Sequence, residues 1–137
     1  NGELGVADRD GSLVYMVDRE TGEKRVIAGN GTAEGGGAGA LATDTGLEEV
    51  RGIWFVDGGF LLCSHKGGSV WFVDSDGVIH QFVAGDKDDS HSGDGMAFHT
   101  PGMKISEPRA VAVAPNGDVL ITEHDAGFIR RVSKRAE

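Results

Sequence analysis

The 137 residues contain one cysteine, Cys63, and three prolines. A lone thiol excludes an internal disulfide framework and any cysteine-rich zinc site. Positive charge is also scarce: 13 Lys and Arg stand against 22 Asp and Glu, a formal charge of −9. Affinity for a phosphate backbone comes from clustered Lys and Arg, so no nucleic-acid partner is expected. No apolar run reaches the roughly 18 residues that a membrane-spanning helix needs, so no membrane span is expected. The first residues carry no signal-peptide pattern. Glycine alone is in excess: its 23 residues are well above average usage. With 39% hydrophobic and 26% charged residues, the composition is that of a folded chain. Little proline and much glycine predict many short strands joined by tight turns.

The chain repeats itself. At a spacing of 56, Leu13-Val14-Tyr15-Met16-Val17-Asp18 falls on Ser69-Val70-Trp71-Phe72-Val73-Asp74. The same spacing puts Ile27-Ala28-Gly29 on Val83-Ala84-Gly85. At 58, Arg51-Gly52-Ile53 falls on Arg109-Ala110-Val111, and at 59, Phe60-Leu61-Leu62-Cys63-Ser64-His65 falls on Val119-Leu120-Ile121-Thr122-Glu123-His124. Near-constant spacing along the chain marks structural repeats.

Each unit reads as four short strands. In the middle unit they are expected at 53–56, 60–63, 70–73 and 78–83, separated by Asp57-Gly58-Gly59, Lys66-Gly67-Gly68 and Ser75-Asp76-Gly77. Such turns are hairpin signals, and β-branched and aromatic residues fill the strands between them. The third unit repeats the pattern at 110–114, 119–122 and 128–132 and stops after its third strand. The first unit begins near Leu4 and lacks a first strand. The units therefore cover about 1–30, 50–85 and 108–137 of one continuous segment. They are joined by long loops at 30–50 and 85–108, expected to pack across a face. Helical turns are expected at 39–43 and 95–99.

The third unit carries Ser92-Gly93-Asp94-Gly95, then Glu107-Pro108-Arg109-Ala110-Val111, Pro115-Asn116-Gly117-Asp118 and Phe128-Ile129-Arg130-Arg131-Val132. This order resembles the NHL repeat, a blade of a β-propeller. The middle unit departs from it, with Val50 in place of the proline and no arginine pair in its third strand. The resemblance implies an all-β fold: propeller blades of four-stranded antiparallel sheets in an incomplete ring. About two and a half blades leave apolar faces open. The chain is therefore expected to be a piece of a larger propeller, or a half-ring completed by a second copy. The resemblance also implies a non-enzymatic scaffold binding a protein or small-molecule ligand, with an extracytoplasmic or secreted placement. The alternative it offers is a lyase or lactonase-type enzyme with a divalent ion in the central channel.

Several residues are candidates for a site. His65 and His124 end equivalent second strands, and lyases of the resembled fold hold zinc with histidines from separate blades. Arg9 occupies that position in the first unit, so no three-histidine set exists. The stretch Asp86-Lys87-Asp88-Asp89-Ser90-His91-Ser92-Gly93-Asp94 offers oxygen ligands such as Asp86, Asp88 and Asp94 for calcium. Its sixth position is His91 where glycine is required, and its twelfth is Ala97, so a structural role for Asp94 is favoured. Arg51 and Arg109 enter first strands, which line the channel in propellers, and can hold an anionic ligand. The competing role is a salt bridge, with Glu123 as a partner for Arg109; Glu123 is also a ligand-binding candidate, and with His65, His124 and Asp8 it makes an incomplete set for the metal-dependent alternative. Ser64 and His65 are neighbours on one strand and point apart, so they do not form a nucleophile–base pair. Cys63 reads as a buried small hydrophobe, and Trp54, Phe55, Trp71, Phe72 and Tyr15 as inter-blade packing. Binding is expected on the face bearing the second-to-third-strand turns and the long loops.

Overall fold

The computed structural model describes residues 2–85, 90–98, 100 and 102–133. Asp86 and Asp88, two of the calcium candidates, lie outside the described residues. Three antiparallel sheets form. The first is β1 (Glu3–Asp8), β2 (Leu13–Asp18) and β3 (Lys24–Ala28). The second is β4 (Val50–Val56), β5 (Gly59–Ser64), β6 (Ser69–Asp74) and β7 (Ile79–Val83). The third is β8 (Pro108–Val113), β9 (Val119–Glu123) and β10 (Phe128–Val132). In all three, strands neighbouring in sequence are neighbours in the sheet. These are blades of an incomplete propeller. β1 and β5 are both second strands and β2 and β6 both third strands, so the first blade lacks its first strand. Among the described residues the third blade has its first, second and third strands.

The turns are closed by local chemistry that repeats with the blades. Asp74 Oδ1 accepts from the backbone N–H of Asp76 and of Val78, each at 3.0 Å. Its counterpart Asp18 accepts from Glu20 at 2.8 Å and Thr21 at 3.0 Å. A short carboxylate that bonds the backbone two to four residues on fixes the hairpin.

Register assigns the faces. Ile53, Leu62 and Trp71 are directly paired across three strands, as are Phe60, Val73 and Ile79. This face of the middle blade packs on Val14 and Ala28 of the first, with Leu47 and Val50 closing the cluster. The opposite face presents Leu61, Cys63 and Val70 to Val111, Val119 and Ile121 of the third blade, with Met103 and Ile105 from the second long loop. Each fully buried side chain of this size contributes about 1.5–3 kcal/mol. The inner strands approach closely: a Cβ on Gly52 would stand 2.8 Å from Ala110 Cα and from the Arg109 carbonyl oxygen.

The middle blade is thus covered on both faces, and the outer two on one each. Leu4, Val6 and Val26 are exposed on the first blade, and Ile129, 73% exposed, on the third. Tyr15, Trp71 and Phe72 are partly buried, but Trp54 and Phe55 are exposed, contrary to the expectation of core packing. Phe55 lies over Gly5 of β1, where the first blade has no inner strand to cover the ring.

Both long loops pack on the blades. In the first, Gly39 N–H donates to the Ile79 carbonyl and Ile79 N–H to that of Ala40, so this loop lies along the outer strand of the middle blade. It contains a 3-10 turn at Ala42–Asp44, close to the expected helical turn. Near Met96 the second loop turns without forming a helix among the described residues.

Candidate functional site

A belt of charged side chains crosses all three blades on the face of the second-to-third-strand turns. Two of its acidic members are Glu49 and Glu107, which immediately precede β4 and β8. Both adopt left-handed backbone conformations, φ +51° and +33°. Each carbonyl accepts from the turn of its own blade: His65 N–H donates to Glu49 at 3.0 Å and His124 N–H to Glu107 at 3.3 Å. Each side chain also reaches back one blade. Glu49 Oε2 lies 3.0 Å from Arg9 Nε and 2.9 Å from its terminal nitrogen. Glu107 Oε2 lies 2.7 Å from His65 Nε2. Within the middle blade, Glu49 also meets His65 Nδ1 at 3.1 Å and Lys66 Nζ at 3.0 Å. His65 is only 4% exposed and has a carboxylate at each ring nitrogen.

These contacts set the charge state of Glu49. The hydrogen bond from Lys66, aided by those from Arg9 and His65, outweighs partial burial and pulls its carboxyl down to about 2. The belt ends at His124, which is 50% exposed, with Nδ1 against Asp125 and 3.8 Å from Glu107. One ligand atom from each of Glu107, His124 and Asp125 fits within a 4.8 Å span.

The arginines behave differently from each other. Both stand at irregularities where β4 and β8 each hold one residue more than their partner strand. Such bulges re-aim side chains. Arg109 Nε donates to His65 Nε2 at 3.2 Å, and Arg109 lies 3.7 Å from Glu107. Arg51 has a buried Nε without a partner among the described residues.

Glu123 does not pair with Arg109. It is 1% exposed and belongs to a second network, built around Arg130. Arg130 Nε donates to its Oε2 at 2.9 Å, and Ser106 N–H to its Oε1 at 2.9 Å. His91 Nδ1 stands 2.8 Å from Oε2. Arg130 also donates to the carbonyls of Ser92 at 3.0 Å and Lys104 at 2.9 Å, pinning the second long loop to the third blade. Burial disfavours the charged form of His91, but hydrogen bonds to Asp94 and Glu123 prevail and raise its pKa. Asp94 bonds His91 Nε2 at 2.8 Å and is lowered by that bond, so its place is in this loop network. The Ser64 hydroxyl donates to the Glu48 carbonyl at 3.0 Å, and burial pushes the Cys63 thiol up to about 12.

The sequence alone does not single out Glu49, Glu107 and His91 as site residues. The spacing of 58 that aligns Arg51 with Arg109 also aligns the two glutamates, and that was the available signal.

No family model and no curated protein matches the chain. Among solved structures it is similar to a structural-genomics protein of unknown function from Bacteroides thetaiotaomicron VPI-5482. That match has a TM-score of 0.79 and 20% identity, over 94% of this chain and 32% of that one. It is also similar to an auxiliary nutrient binding protein from Bacteroides ovatus ATCC 8483, with TM-score 0.68, 15% identity, and 96% and 35% coverage. A third match is an auxiliary nutrient binding protein from Bacteroides thetaiotaomicron VPI-5482, with TM-score 0.71, 11% identity, and 96% and 35% coverage. The chain spans about a third of the length of these proteins. At such identities the likeness is one of fold.

Proposed function

We propose that the chain is part of an NHL-type propeller that serves as a ligand-binding scaffold, with its site on the turn face. The observation that carries this is the belt itself. Two glutamates in strained left-handed conformations place carboxylates, imidazoles and guanidinium groups side by side on one face. Strain of this kind concentrates at functional sites. Two of the solved structures with this fold are described as nutrient binding proteins, which supports a small polar ligand. The open faces of the outer blades are taken to be covered by further blades or by a second copy of the chain. The test is a thermal-shift panel of monosaccharides, amino acids and dicarboxylates on the full chain. A saturable rise in Tm that is lost in Glu107→Gln supports the reading. No rise with any member argues against it.

A second reading rests on Glu107, His124 and Asp125, whose donors suit a divalent ion such as zinc and would support the metal-dependent enzyme. Native mass spectrometry with zinc acetate tests it: one ion per chain, absent in His124→Ala, favours the metal centre.

A further inference from the structure

We propose that Arg51 anchors an oxyanion subsite on the turn face, taking a small molecule that bears a carboxylate or phosphate group. The proposal rests on the reading of that face as the binding face. Arg51 and Arg109 occupy equivalent bulges on adjacent inner strands, and the backbone of Gly52 touches that of Arg109. What separates them is the residue offered by the preceding blade. For Arg109 that residue is His65, whose Nε2 lies 3.2 Å from the guanidinium Nε, with Glu107 3.7 Å from the same guanidinium. For Arg51 the repeat puts Arg9 there, and a guanidinium has no acceptor to offer. Glu49, the counterpart of Glu107, is already engaged by Arg9, Lys66 and His65.

The Arg51 side chain therefore has no hydrogen bond or ion pair to any described residue, and its Nε is buried. A desolvated cationic donor without an acceptor is unfavourable until a partner arrives. Arg51 as a whole is only partly buried, so a ligand can reach it. A planar guanidinium fork matches the paired oxygens of a carboxylate or phosphate.

The test follows the arginine Nε–Hε signals of the full chain by NMR during titration with sodium acetate and, separately, inorganic phosphate, at constant ionic strength. The expected result is a saturable shift of the Arg51 signal. The accompanying shifts of the neighbouring backbone amides, Gly52 and Ala110, should be lost in Arg51→Gln, weakened about tenfold in Arg51→Lys, and unchanged in Arg25→Gln, whose guanidinium pairs with Glu3. Response to acetate alone assigns the subsite to carboxylates, and response to phosphate alone assigns it to phosphates. If Arg51→Gln fails to fold, Arg51→Lys decides. No saturable Arg51 shift with either anion, or binding that survives the loss of Arg51, overturns the proposal. A neutral sugar that stabilises the chain while Arg51 stays silent would overturn this inference alone and leave the binding face standing.

Discussion

Glu49 and Glu107 are the same residue of two successive blades: each enters an inner strand at positive φ and reaches back to the second-to-third-strand turn of the blade before it. Glu49 meets Arg9 there, and Glu107 meets His65. The belt is therefore a clasp between blades as well as a polar surface. By the same repeat, His124 is the residue that a carboxylate of a following blade would meet.

Acid should open the clasp. The Glu49 carboxyl sits near 2 in the folded chain, well below its ordinary value of 4.5. A depressed folded pKa gives stability that is full above the unfolded pKa and lost as pH falls through the folded one. Urea unfolding between pH 5 and about pH 2 is expected to show a steady loss of stability, with a shallower pH dependence in Glu49→Gln. Parallel curves would remove Glu49 as the source.

The inner strands leave no room at Gly52. Gly52→Ala places a methyl group 2.8 Å from Ala110 Cα and the Arg109 carbonyl oxygen, both backbone atoms. Separating β4 from β8 should cost about 1–3 kcal/mol, read as a lower midpoint in denaturant. An unchanged midpoint would mean that the strands stand further apart.

Arg130 and Glu123 form a buried pair, and removing Arg130 leaves the buried Glu123 charge with only His91 and the Ser106 N–H beside it. Arg130→Met is expected to destabilise by about 3–5 kcal/mol. It should also speed amide exchange in the loop around Ser92 and Lys104, whose carbonyls Arg130 binds. Global destabilisation without local loosening of that loop would contradict the pinning role.

Cys63 should be chemically silent. It is fully buried, and its thiol is pushed up to about 12 by that burial. A thiol reagent at neutral pH is expected to react only on unfolding, at a rate that follows denaturant concentration. Rapid reaction of the native chain would show that the packing of the middle blade on the third is not as described.

The strands and their grouping were legible because alternation, glycine turns and constant spacing all gave the same answer: β2 and β6 align, and the first blade lacks its first strand. The site was less legible. Glu49 and Glu107 sit outside the strands, and nothing in a glutamate announces positive φ, which glycine normally signals. Glu123 was singled out, but its partners Arg130 and His91 come from another strand and a long loop, where only the folded chain sets the distance. Trp54 and Phe55 read as core from their residue type, yet exposure depends on what the next blade presents. At Gly5 the first blade presents a second strand and no inner one.

The central claim is that binding occurs on the face carrying the belt. Backbone amide shifts of the full chain should be mapped with whichever monosaccharide, amino acid or dicarboxylate most raises its Tm. The account predicts perturbations confined to residues 9–12, 49–51, 65–68, 107–109 and 124–127. Perturbations centred instead on the opposite hairpins, at Asp57-Gly58 and Asn116-Gly117, would contradict it.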